Sequence, residues 1–219
     1  MTNSLFSLLM LVLFVGETLT CFTLMRLPSL LRFYALSSVA LGGLAIGLAL
    51  EGGGVHLIPV AVAVVAVKAL LVPFVIKRMA ERSGASLRLV SSLRPSASWF
   101  VGIGVFGSGI SLALHSPLYQ MNNMIQTPAL LPISFGVILV GLVMMIIRKD
   151  LLSQMIGFLV LENGIAAFSL SALGGIPVAI EFGVYSAVLI GAILMATLSQ
   201  RVQNLLGTHD TSHLSELTD

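Results

Sequence analysis

Lys68 stands near the middle of an apolar run that reads from Leu57 to Ile76, with no acid inside that run to pair it. Glu162 holds the same kind of place in a second run, from Leu151 to Leu173, and Glu17 in a third, between Leu5 and Met25. A charge at the centre of a membrane helix costs about 2.5–3.5 kcal/mol on insertion scales, so an ionisable residue there marks a functional site by default. Burial disfavours the charged form of an acid or an amine, and an opposite charge nearby restores it. A lysine and glutamates along one low-dielectric path therefore have the chemistry of a relay for protons or small cations. The competing reading is a static ion pair that fixes helix packing.

Neighbouring residues favour hydration at these points. Pro73 has no N–H, so the carbonyl of Ala69, beside Lys68, loses its helical partner. Such a break is tolerated in a membrane only where neighbours or waters satisfy it. Asn163 follows Glu162, Ser169 falls on nearly the same helical face, and Tyr185 lies one turn beyond a further acid, Glu181, placed at the outer interface. Gly157 and Gly164 are read as packing positions. His56 and His115, near the outer interface, are weaker candidates for assisting proton exit, and His209 and His213 sit in a polar tail.

The elements that must carry these side chains follow from composition. Of 219 residues, 57% are hydrophobic and only 9% charged, with mean hydropathy +1.06, whereas soluble domains carry roughly 25% charged residues. Spans of about 20 residues use up almost the whole chain, which leaves no room for a separate soluble domain. Seven are expected: about 4–25, 33–50, 56–76, 99–115, 128–147, 151–173 and 177–199. The fourth is short and rich in glycine (Gly102, Gly104, Gly107, Gly109), which suits close helix packing; a re-entrant helix is the alternative there. Lys68 then lies roughly 16 Å from the outer end of span three, and Glu162 reaches a similar depth from the other side.

The basic residues agree with this map. Arg26, Arg32, Lys77, Arg78, Arg82, Arg88, Arg94, Arg148, Lys149 and Arg201 all fall in connections on one side. The opposite loops, around 52–55, 116–127 and 174–176, have none. The positive-inside rule then places the N-terminus outside and the C-terminus in the cytoplasm. Net charge of +2 is accordingly topology and lipid-headgroup contact, not nucleic-acid binding. The 77–98 loop is expected as a solvated connector or along the membrane surface. The first span lacks a basic n-region and is expected to be retained. Cys21 is the single cysteine, which excludes disulfides and cysteine-bound metal clusters within the chain. No nucleotide loop, haem motif or nucleophile constellation is present.

Two stretches carry a family resemblance. Ile147-Arg148-Lys149-Asp150-Leu151-Leu152, followed by Ile156-Gly157-Phe158 and Glu162-Asn163-Gly164, resembles the hydrogenase-4 component E family, whose second half is similar to the K subunit of respiratory complex I. Lys68-Ala69-Leu70-Leu71-Val72-Pro73 resembles component E as well, and the tail from Asp210 to Leu217 looks like the end of both families. The likeness to component E covers the whole chain; that to the K subunit covers about 128–219. There are departures. The first membrane glutamate of the K subunit would fall at Leu159, with Glu162 almost one turn on, and the second near Ala187.

The resemblance implies an all-α polytopic subunit of a bacterial inner membrane, with a four-helix region over 1–127, a K-subunit-like three-helix region over 128–199 and a cytoplasmic tail over 200–219. It implies no catalytic centre and no cofactor in this chain. Nickel-iron and iron-sulfur centres are expected in a soluble hydrogenase-like arm, and antiporter-like membrane subunits are expected as partners. A proton or sodium pathway would run through Lys68, Glu162, Glu17, Glu181 and Tyr185, with Pro73 and Asn163 as points of helix break or hydration. The alternatives are a subunit of a multisubunit cation/proton antiporter or other complex I-like oxidoreductase, and a purely structural membrane subunit.

Overall fold

The computed structural model describes residues 2–82, 89, 91–120, 129–173, 190, 191, 193, 194, 197, 198 and 201. Helix α1 spans Thr2–Thr23 and α2 spans Leu27–Leu48, running on into a π-helical turn, Ala49–Gly53. Then come α3 (Leu57–Ala63), a π-helical segment (Val64–Leu71) and α4 (Val72–Arg82), which together form the third rod. They are followed by α5 (Pro95–Leu114), the short α6 (Pro117–Gln120), α7 (Leu130–Ile147) and α8 (Leu151–Leu173). Among the described residues six segments are long and apolar enough to cross a membrane: Leu5–Thr23, Leu27–Gly52, Leu57–Arg78, Ser96–Leu114, Leu130–Ile147 and Leu151–Ser171. The protein is an all-α, multi-pass membrane protein. The expected seventh span and the tail lie almost wholly outside the described residues, and Glu181 and Tyr185 with them.

Local chemistry sets the helix ends. Arg26 is extended (φ −123°, ψ 122°) and α2 opens with Pro28 in its first turn, a place where the missing N–H has no intrahelical partner to lose. That start lies upstream of the expected residue 33, because Arg32 is carried inside the helix with its charge outward. Arg94, ahead of Pro95, is likewise extended (φ −68°, ψ 149°), as the residue before a proline prefers. The turn after α2 uses positive φ at Gly52 (103°) and Gly54 (101°), open to glycine without steric strain. The α8 start is capped by Asp150, whose Oδ1 accepts the Ser153 N–H at 2.8 Å, satisfying one of the orphan donors of a helix N-terminus.

Glycines let three helices close on one another. A methyl group at Gly109 of α5 would lie 2.6 Å from the Gly136 Cα of α7. At Gly157 and Gly164 of α8 it would meet the α7 backbone at Met145 (3.0 Å) and Ile138 (2.8 Å), so these two are packing positions as expected. Gly102 packs on the Phe22 ring, but Gly104 and Gly107 have nothing near them and face outward. The fourth span therefore uses part of its glycine content for packing, and it is one continuous helix, Pro95–Leu114. Phe135 and Phe168 add an edge-to-face contact between α7 and α8, with ring centroids 5.8 Å apart. α2 lies against α1, the third rod and α8, so it is the helix through which Lys68 and Glu162 find each other.

Three basic connections meet at one end of the bundle. The Leu89 N–H donates to the Met25 carbonyl (2.9 Å), the Ser92 N–H donates to the Ile147 carbonyl (2.9 Å), and Ser91 pairs with Arg148 as an antiparallel bridge. The expected solvated connector is thus helical up to Arg82, and its later part is stitched between two helix junctions.

Candidate functional site

The Lys68 cluster is assembled by three helical rods. The π-helical segment carries Lys68, α8 carries Glu162 and Asn163, and α2 carries Ser37 and Ser38. Pro73 explains part of this: it withholds an N–H just past the segment, and the ladder upstream is widened, with the Val72 N–H bonding to the Val67 carbonyl. Widened π turns within α-helices are frequent at functional sites. The expected break at Pro73 is therefore a change of helical winding that continues through Lys68.

Lys68 Nζ forms an ion pair with Glu162 Oε2 and donates to Asn163 Oδ1 at 3.2 Å. Asn163 Nδ2 in turn donates to Ser38 Oγ at 3.0 Å and Ser37 Oγ at 3.3 Å. Both serine hydroxyls donate to the Tyr34 carbonyl, at 2.9 and 3.1 Å. Relative exposure is 0% for Lys68, 5% for Glu162 and 1% for Asn163. So complete a burial requires each charge to be paired and hydrogen-bonded.

The direction of donation separates two roles. A carbonyl only accepts, so each serine gives its proton to Tyr34 and accepts from Asn163. The amide has two N–H groups and hence one for each serine, while its oxygen takes the Lys68 ammonium. An amide neither gains nor loses protons in this range, so the chain ends at Asn163 as a conductor and holds Lys68 in place instead. Lys68 and Glu162 are the two groups in the cluster able to change charge. Protonating Glu162 would dissolve the ion pair while leaving the Lys68–Asn163 bond intact.

The other expected residues are distributed differently. Asn163 lies inside an unbroken α8 and serves as a hydrogen-bonding bridge between rods rather than a break. Glu17 is half-buried on α1, and among the described residues no hydrogen bond or ion pair joins it to Lys68 or Glu162; its Oε2 is buried and lacks a hydrogen-bond partner. Ser169 is buried on α8, and among the described residues its hydroxyl has no hydrogen-bond partner. His56 and His115 are exposed, and His115 Nδ1 lies 2.7 Å from the Ser111 carbonyl oxygen. Leu159, at the K-subunit glutamate position, is fully buried core. Among the described residues no three His, Cys, Asp or Glu side chains converge as a metal site would require.

Arg148 is the residue that sequence reading misplaced. Read as a topology determinant and headgroup contact, it is 1% exposed. Its Nη2 donates to the carbonyls of Leu24 (2.7 Å), Phe22 (2.9 Å) and Cys21 (3.4 Å), and its Nη1 lies 3.3 Å from Met25 Sδ. These are carbonyls left over at the C-terminus of α1, where a cation also meets the negative end of the helix dipole. Burial pushes the guanidinium down from its usual value, and the Asp150 carboxylate pushes it back up. The motif Arg148-Lys149-Asp150 is thus a junction: Arg148 staples α1 and Asp150 caps α8.

No protein-family model matches the chain, and no solved structure matches it. A curated relative does: the uncharacterized protein Rv0085 of Mycobacterium tuberculosis is 30% identical over 196 residues, covering 88% of this chain and 87% of that protein. The chain belongs to the family of that protein. The match extends over nearly the full length of both family members, so it takes in the membrane helices as a set and is not confined to one motif.

Proposed function

We propose that the chain is a non-catalytic membrane-arm subunit of an ion-translocating complex of the hydrogenase-4 or formate-hydrogenlyase type, and that Lys68 and Glu162 form one step of its proton or sodium pathway. The observation that carries this reading is the buried Lys68–Glu162 pair, anchored by Asn163 to two serines of α2. A pair kept only for packing could be replaced by apolar residues at little loss. Here Lys68 sits in a widened helical segment, where backbone groups are freer to rearrange when the charges change. Both stretches that resemble component E bear on it: one contains Lys68, the other leads through the α7–α8 junction to Glu162 and Asn163.

In this role the N-terminus faces outward, a seventh span over about 177–199 brings the C-terminus to the cytoplasm, and Glu181 and Tyr185 continue the path toward the outer surface. Glu17 is a side branch of the path at α1. The redox centres belong to a soluble arm, and antiporter-like subunits flank this one in the inner membrane.

Glu162→Gln and Lys68→Ala, made in the assembled complex in membrane vesicles, are expected to impair ion pumping while electron transfer continues. Pumping that survives both changes would sink the relay. Loss of the assembled complex instead would assign the pair a structural role. Mass spectrometry of subunits that co-purify in mild detergent tests the setting: nickel-iron hydrogenase partners support it, and antiporter subunits alone would place the chain in a cation/proton antiporter.

A further inference from the structure

A groove of about 240 Å³ opens between α2 and α4, away from the Lys68 cluster. Arg32 of α2 and Lys77 of α4 contribute its charge, and Leu31, Ala35, Pro73 and Phe74 form apolar walls. No acid lines it. Arg32 has no hydrogen-bond or ion-pair partner among the described residues. Lys77 is 3.8 Å from Glu81 in an exposed i, i+4 pair, an arrangement too weak to hold the ammonium against a competing anion. Both cations lie near the ends of their apolar spans, which start at Leu27 and finish at Arg78. This is the end of the bundle where the basic connections meet.

From this we infer that the α2–α4 groove is a binding site for one anionic phospholipid. The Arg32 guanidinium presents paired donors that match phosphate oxygens, and Lys77 adds a second charge from the opposite wall. Phe74, 62% exposed and nearly one turn before Lys77, and Ala35, nearly one turn after Arg32, offer the first methylenes of an acyl chain an apolar surface below the charges. A zwitterionic choline lipid brings its own cation toward Arg32 and Lys77 and is disfavoured. Basic pockets between membrane helices are a known setting for anionic headgroups. A lipid here also ties α2, which carries Ser37 and Ser38, to the rod that carries Lys68.

The test uses the purified full chain, with phosphatidylglycerol and phosphatidylcholine of equal chain length titrated in mild detergent and bound lipid read by native mass spectrometry. Phosphatidylglycerol should be retained at about tenfold lower concentration or better. Arg32→Gln combined with Lys77→Gln should weaken its retention about ten- to thirtyfold, to the phosphatidylcholine level. Equal retention of the two lipids by the unaltered chain overturns the site, as does a preference that persists in the double variant. Displacement of the lipid by equimolar glycerol 3-phosphate would also overturn it, since the ligand is then a soluble phosphate. Should the double variant fail to fold, Phe74→Trp in a Trp99→Phe background gives a second measurement. Brominated phosphatidylglycerol in nanodiscs should quench that tryptophan more strongly than brominated phosphatidylcholine, and equal quenching rejects the proposal.

Discussion

Lys68 and Arg148 are both buried cations, at 0% and 1% exposure, yet they are held by opposite kinds of partner. Lys68 meets a carboxylate and an amide, both side chains on another helix. Arg148 meets the backbone carbonyls of Cys21, Phe22 and Leu24. Backbone carbonyls are fixed dipoles that carry no proton and cannot leave the helix end they belong to. A carboxylate can take up a proton and change sign of interaction at once. The same burial thus produces a permanent staple in one region and an adjustable contact in the other, and it is partner chemistry, not depth, that separates a fixed charge from one whose interaction can change.

The largest expected effect strikes the staple. Arg148→Met keeps much of the side-chain volume but leaves three carbonyls without a donor at the end of α1. Each unsatisfied buried acceptor costs about 1–3 kcal/mol, so a loss of about 3 kcal/mol or more is expected, read as a lowered Tm of the purified chain in detergent. Arg148→Lys should recover part of this, because one ammonium reaches fewer of the carbonyls than the guanidinium fork. An unchanged Tm in Arg148→Met would remove the distinction between the two cations.

The next test sets stability against function at the adjustable site. Lys68→Met alone leaves the Glu162 carboxylate buried without its cation, a class of change that costs about 3–5 kcal/mol. Lys68→Met with Glu162→Gln removes both charges and should recover most of that stability, giving a strong coupling energy in a thermal or denaturant cycle. Ion pumping should stay lost in the double variant as in both singles. If pumping returns with stability, the pair is a static one, and Lys68 joins Arg148 as a staple.

How much of this contrast could be read in advance depends on what each residue's partner is. Lys68 and Glu162 were legible because a charge in a long apolar run is visible without knowing the fold. Their meeting was left open, since it depends on α2 bringing two distant rods together. Ser37 and Ser38 gave almost no signal: serine in a membrane helix usually bonds its own helix backbone, and these two do that with Tyr34 while also accepting from Asn163. Arg148 was misread because its position at a span boundary fitted the charge rule for loops, and its true partners are carbonyls of a helix more than a hundred residues away. The six described spans were readable from hydropathy. Their starts shifted at Arg32 and Pro95, where proline chemistry and an outward-facing arginine, rather than apolar content, set the helix end.

The smallest expected effect sharpens the boundary between conducting and positioning groups. Asn163 offers one N–H to each of Ser37 and Ser38, so Ser37→Ala or Ser38→Ala removes one acceptor and leaves the other in place. Either single change leaves one amide N–H unsatisfied and should cost about 1 kcal/mol, at the low end of the range for such a group, with Lys68 still held and pumping nearly normal. Ser37→Ala with Ser38→Ala leaves both amide N–H groups buried and unsatisfied, and the loss should exceed the sum of the singles. Under the positioning role, the double change slows pumping without abolishing it, because Lys68 and Glu162 keep their own contact. Complete loss of pumping in a folded double variant would mean that protons pass through the hydroxyls, and the serines would move from the side of Arg148 to the side of Glu162.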